Sequence, residues 1–201
     1  MWLNGTRTQN YTYNAANQVT GWSYDAAGNL LNDGTQSYTY DALSRVLSVG
    51  STTNQSNADG TLVAQTQGST TTRYTQDFAA PLSQIFSDGT QRYVYGTPAE
   101  RLYGVAGSTR TWYSVDALNS VRALFDDAGI PQAEAKYDAW GVPETPLIGS
   151  FGFTSALQRG SDVWLRARWY GAGRGSFGSR DPYQGDAETP YSVQYLSLIH
   201  I

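Results

Sequence analysis

The chain has 201 residues, a formal net charge of −4, 15% charged residues, one histidine and no cysteine. Without cysteine there are no disulfides, thiolate metal sites or cysteine nucleophiles, and a lone His200 leaves no Ser-His-Asp triad or histidine metal cluster. The acidic balance gives no attraction for nucleic acid or an anionic membrane surface, and no apolar run reaches the roughly eighteen residues of a transmembrane helix.

Chemistry, if there is any, must rest on carboxylates, hydroxyls, arginine or the single Lys136. Fifteen Tyr, six Trp and six Phe favour half-buried pleated surfaces, and 21 Gly among abundant Ser, Thr and Asn punctuate the chain at short intervals. The predicted fold is therefore all-β, a strip of antiparallel hairpins. The one place where a helical turn or two is expected is Thr189 to Leu196.

Met1 to Gly5 lacks the basic and apolar regions of a signal peptide, so an export signal, if used, lies elsewhere. An imperfect repeat follows: YTYNAANQVTG from Tyr11, WSYDAAGNLLNDG from Trp22 and YTYDALSRVLSVG from Tyr38. In an extended chain Tyr11 and Tyr13, or Tyr38 and Tyr40, share a face. The Asp or Asn that follows suits a type I turn, its side chain accepting nearby backbone N–H groups, with Gly28 at the fourth position. Each copy is predicted to be a strand, a turn and a returning strand.

Ser51 to Thr72 is a polar, low-complexity insert, open to two readings: a loose linker, or a segment with a short strand at Thr61–Ala64. Weaker repeat copies begin at Arg92, Trp112 and Ala135, and their unequal spacing argues against a strict solenoid. The adjacent pair Asp126-Asp127, followed by Ala-Gly, reads as a hairpin turn, since neighbouring strand side chains point apart. VWLRARWY, Val163 to Tyr170, alternates as one amphipathic strand: Val163, Leu165, Ala167 and Trp169 on one face, and Trp164, Arg166, Arg168 and Tyr170 on the other, with the arginines toward solvent.

The YD copies at Tyr24-Asp25, Tyr40-Asp41 and Tyr137-Asp138 resemble the repeats of the RHS/YD-repeat family. The succession DALNSVRALFDDAGIP (Asp116–Pro131), KYDAWGVPE (Lys136–Glu144), FGFTSALQ (Phe151–Gln158) and WLRARWYGAGRGSFGSRDP (Trp164–Pro182) is similar to the RHS-associated core. The resemblance divides the chain into a YD-repeat shell segment over 1–110, with the polar insert near 51–72, and an associated core over 111–195. It implies a β-sheet strip that spirals into a hollow cocoon, part of a secreted or cell-surface bacterial polymorphic toxin. The partners it implies are the rest of that shell and an enclosed C-terminal toxin, with no cofactor. An adhesive, carbohydrate-binding surface protein is the alternative reading.

In the same family, aspartyl self-cleavage near the core's end separates shell from cargo. The resemblance makes Asp181 one carboxylate of the pair, with Arg180 orienting it or tuning its charge. The plainer reading of Arg180-Asp181-Pro182 is a surface turn. The sequence departs from the family after this point, because Asp186 and Glu188 do not sit in a DPxG context. The remnant is therefore expected to be inactive and the chain not to be an enzyme. Leu196 to Ile201, LSLIHI, resembles an in-frame translation of a sequencing-library adapter, which makes 196–201, His200 included, an expected artefact and Met1 an expected internal start. A strip cut from a closed shell exposes strand edges, so poor solubility in isolation is expected as well.

Overall fold

A computed structural model describes residues 10–79, 83–96 and 100–179 in full, and Trp2–Leu3 and Thr6–Arg7 as backbone only. The predicted all-β class is correct: antiparallel strands are joined in sequence order, and among the described residues the only helical element is the 3-10 turn Phe153–Ser155. A short pair, β1 (Trp2–Leu3) and β2 (Thr6–Arg7), precedes the hairpin of β3 (Ser23–Tyr24) and β4 (Leu30–Asn32). A five-stranded meander follows: β5 (Tyr38–Tyr40), β6 (Val46–Val49), β7 (Thr52–Ser56), β8 (Leu62–Gln67) and β9 (Thr70–Arg73). Next comes a seven-stranded meander of β10 (Thr75–Asp77), β11 (Gln84–Ser87), β12 (Arg92–Tyr95), β13 (Arg101–Ala106), β14 (Thr109–Val115), β15 (Val121–Phe125) and β16 (Pro131–Glu134). The last sheet is β17 (Leu157–Arg159), β18 (Asp162–Leu165), β19 (Arg168–Gly171) and β20 (Ser176–Phe177).

One loop geometry recurs between these strands, headed by Asn14, Asp25, Asp41, Asn57, Asp116, Asp126 and Asp138. In each, the head N–H donates to the carbonyl four residues on, and the N–H of the fourth loop residue donates back to the head carbonyl. The head side chain accepts the N–H four residues on, and at Asn14, Asp41, Asp116, Asp126 and Asp138 also the N–H two residues on. The fourth residue is left-handed, as at Gly28 (φ 86°) and Gly141 (φ 92°), where glycine avoids the Cβ penalty. This is a type I turn closed by a left-handed bulge residue. The repeated tyrosine-aspartate pair thus encodes a strand end and the anchor of the loop after it.

The polar insert is not a linker, because β7, β8 and β9 run through it. Leu62 and Ala64 are buried apolar residues, while the inward positions Asn54 and Gln65 satisfy each other. Gln65 Nε2 donates to Asn54 Oδ1 at 2.9 Å, Tyr74 Oη donates to Gln65 Oε1 at 2.7 Å, and Asn54 Nδ2 donates to the Val46 carbonyl at 3.3 Å. A closed polar chain takes the place of apolar side chains there.

The VWLRARWY segment is not one strand but the hairpin β18–β19, turning at Arg166-Ala167 with Arg166 at φ 57°. The turn changes which residues share a face. Trp164 pairs with Trp169 and faces the main core of Val46, Leu62, Tyr74, Ile85, Tyr93, Val121 and Phe151; Val163 pairs with Tyr170 and faces a second cluster with Ala172 and Phe177. Both faces are buried. Arg168 is therefore only 6% exposed, its Cζ 3.7 Å above the centre of the Phe177 ring, rather than in solvent.

Candidate functional site

Arg180 and Asp181, like Asp186, Glu188, His200 and the expected turn at Thr189 to Leu196, lie outside the described residues. The structure does show how the chain immediately before them is held. After β20, the Gly178 carbonyl accepts two hydrogen bonds at 2.8 Å, one from the Leu30 N–H and one from Tyr40 Oη. The Gly178 N–H donates to the Trp169 carbonyl at 3.1 Å, and Ser179 is 1% exposed. The C-terminal sheet is thereby seated against β4 and β5, strands more than a hundred residues earlier in the chain.

Arg174, in the turn before β20, adds charge to this seat. Its Nη1 donates to Tyr38 Oη at 3.0 Å and lies 3.9 Å from Asp33 Oδ2 and 3.6 Å from Asp162 Oδ1. All three charged side chains are largely buried. Gly171 makes room for the guanidinium: a Cβ there would sit 2.2 Å from Arg174 Cζ. Tyr38 Oη donates to Asp33 Oδ2 at 2.7 Å, while Gln36 Nε2 donates to Tyr38 Oη at 2.8 Å and to Asp162 Oδ2 at 3.0 Å.

The two carboxylates respond oppositely to this surrounding. Burial works against ionisation of Asp33, but hydrogen bonds from Thr35, Tyr38 and Gln36 outweigh it and hold its carboxyl below the usual range. Burial dominates at Asp162 and raises its carboxyl above the usual range, despite the opposing attraction of Arg174 and the hydrogen bond from Gln36. Tyr38 and Tyr40 are pushed up chiefly by burial and stay protonated as donors. Two acids around one guanidinium make a clamp that fixes β4–β5 to the C-terminal sheet.

A second arrangement of the same kind sits in the seven-stranded sheet. Asp88 accepts from Thr90 and Gln91 and from Tyr93 Oη, while Arg101, 3% exposed, lies over the rings of Tyr93, Tyr95, Tyr113 and Phe151. Sequence reading by the tyrosine-aspartate repeat passes over both sites. The signal that finds them is the hexapeptide Asp-Gly-Thr-Gln-x-Tyr, present at Asp33–Tyr38 and again at Asp88–Tyr93. The other acidic pair reads as expected: Asp126 heads a turn, and Asp127 accepts from Trp112 Nε1 at 2.8 Å and pairs with Arg110 at 2.9 Å. Among the described residues no group of three or more His, Asp or Glu side chains is placed to hold a metal ion, and no helix is long and apolar enough to cross a membrane.

No family model matches the chain. Over 90% of its length it is 28% identical to the tRNA3(Ser)-specific nuclease WapA of Bacillus spizizenii and 27% identical to the tRNA nuclease WapA of Bacillus subtilis strain 168. The chain spans 9% of the length of each of these relatives. Among solved structures, TcdB2-TccC3 matches 88% of the chain with a TM-score of 0.64 at 15% identity, over 10% of its own length, which shows a shared fold. These relatives and this fold support an RHS-type relationship to toxin proteins.

Proposed function

We propose that the chain is a stretch of wall from the shell of an RHS-type polymorphic toxin, and that Arg180-Asp181, which follow its last described sheet in sequence, are the upstream half of an aspartyl self-cleavage site. The observation that carries this reading is the seat of Gly178. Two donors from β4 and β5 hold its carbonyl, and the Arg174 clamp holds the turn before it, so Gly178 and Ser179, the last described residues, are held at a buried point. Catalytic carboxylates need such positioning, because two acids share a proton only when they are held close. The sheet composition supports the wall role. Tyr38, Tyr74, Tyr93, Tyr137 and Tyr170 are buried area suppliers, and consecutive meanders leave each hairpin stabilised by the next. Arg180 serves to orient Asp181, and the enclosed partner is a toxin segment of the same polypeptide.

The test uses the full-length product of the gene that encodes this chain. The wild type is expected to separate into shell and cargo that still co-purify, and Asp181→Asn to leave a single polypeptide. Unchanged processing in Asp181→Asn would remove the cleavage role; cargo eluting free of the shell would remove the enclosure.

A further inference from the structure

The side chains that hold Gly178 come from far back in the chain, and that separation sets when they can act. We propose that Tyr40 and Arg174 are positioning residues for self-cleavage, and that cleavage therefore waits until the C-terminal sheet has closed onto β4 and β5. Both roles rest on the proposed place of Asp181 in that reaction.

Gly178 is wedged between the two side chains. A Cβ on it would lie 3.1 Å from Arg174 Nη2 and 3.2 Å from Tyr40 Oη, so both groups press against its backbone. Its φ is not in the left-handed region, so this glycine serves close approach rather than a turn. Tyr40 Oη and the Leu30 N–H both donate to its carbonyl, and Ser179 beside it is buried. Two peptide units join Ser179 to Asp181, which keeps their Cα atoms within about 7 Å of each other. Fixing Ser179 therefore narrows the space open to the Asp181 carboxylate, and a shift of about 1 Å at a reacting group is enough to slow a reaction a hundredfold.

The order of events follows from sequence separation. The bond from Tyr40 to Gly178 spans 138 residues and that from Arg174 to Tyr38 spans 136. Between them, β6 to β16 pair only with strands next to them in sequence. Hairpins close short loops and form early, whereas a contact across so long a stretch bears the entropy of the whole loop until the sheets in between have folded. The seat of Gly178 is thus completed after the meanders. The step that waits on it is hydrolysis of one peptide bond: water gives its hydroxyl to the carbonyl carbon and a proton to the departing nitrogen, with no other reactant. A cut made before closure would part the wall from the chain that follows it while the wall was still open.

The full-length product of the gene that encodes this chain, refolded from urea, tests the proposal by two measurements on one sample: the appearance of the cut on a gel and the gain of protease resistance by the shell. In the wild type the cut is expected only after resistance. Tyr40→Phe removes one hydroxyl and is expected to slow the cut, per resistant molecule, by about tenfold, the scale of one lost net hydrogen bond. Arg174→Met is expected to slow it by about a hundredfold; if that variant never becomes resistant, Tyr40→Phe decides the case alone. Ile85→Val, a core change in β11 of similar cost to stability that takes no part in the seat, is expected to cut at the wild-type rate. A cut that precedes resistance, a wild-type rate in Tyr40→Phe, or equal slowing in Ile85→Val overturns the proposal. Processing that persists in Asp181→Asn instead overturns the cleavage reading beneath it, so the two failures are told apart.

Discussion

The two Asp-Gly-Thr-Gln-x-Tyr loops are the same object placed in two surroundings. In both, one aspartate oxygen accepts the Thr N–H and hydroxyl and the Gln N–H, and the other accepts the tyrosine hydroxyl. The glycines match as well, at φ 86° for Gly34 and 85° for Gly89, and each tyrosine ring carries a guanidinium 5.3 Å above its centre. What differs is where the arginine comes from and what else it meets. Arg101 belongs to the strand next to Tyr93, and its other neighbours are rings, the Ser155 carbonyl and Tyr95 Oη. Arg174 arrives from 136 residues away and faces two carboxylates. The local hexapeptide fixes the loop; the tertiary partner decides whether the loop is a closed cage within one sheet or a junction between sheets.

That contrast predicts unequal costs for removing the two arginines. Arg174→Ala leaves Asp33 and Asp162 buried without their counter-charge, and breaking such a group costs about 3–5 kcal/mol. Arg101→Ala loses a desolvated cation–π contact and two hydrogen bonds but strands no charge, so about 2–3 kcal/mol is expected. Urea unfolding of both variants measures the difference. An Arg101→Ala loss equal to or larger than that of Arg174→Ala would mean the junction is not where the charge matters.

The aspartates invert the order. Asp88 is 6% exposed and every oxygen contact it makes is a donated hydrogen bond, so Asp88→Ala is expected to cost about 2–3 kcal/mol. Asp33→Ala removes equivalent bonds but also a negative charge close to Asp162, which keeps Arg174 as its partner. It should be milder by about 1 kcal/mol, the worth of one net interaction. Equal losses would show that the Asp33–Asp162 repulsion is screened out.

Much of this was legible in the amino-acid order, and what was not has a definite cause. The tyrosine-aspartate copies announce strand and turn because both parts are local: Asp41 accepts from Leu43 and Arg45, residues two and four along. The β18–β19 turn was hidden because Arg166 carries none of the usual marks of a left-handed residue, and a two-residue turn leaves the alternation of apolar positions unbroken to the eye. The strand at Thr61–Ala64 was one of two readings of the polar insert, whereas β7 and the rest of β8 were hidden because Asn54 and Gln65 are polar at buried positions, and only the fold brings Asn54, Gln65 and Tyr74 together. The clamp is harder still. Nothing near Arg174 in sequence points to Asp33, and only the close approach at Gly171 leaves a trace, as a glycine with no turn conformation to explain it.

The smallest effect, and the most specific to the junction, is its response to pH. Asp33 and Asp88 have carboxyls held below the usual range, so each contributes stability that is present above the ordinary carboxylate value of about 4 and lost as pH falls through the lower folded value. Asp162 has the opposite sign. Its raised carboxyl means the folded state binds the proton more readily than the unfolded one, so its ionisation penalises folding at neutral pH, and that penalty fades as pH falls through the raised value. Asp162→Asn keeps an oxygen for Gln36 Nε2 and gives up only the longer 3.6 Å approach to Arg174. The variant is therefore expected to be the more stable protein at pH 7 and to converge on the wild type as pH approaches 4. Asp88→Asn, in the cage, should do the reverse, losing most at pH 7 and least in acid. Urea midpoints at several pH values for the two variants would separate junction from cage, and a pH-independent loss in Asp162→Asn would mean that its attraction to Arg174 outweighs its burial.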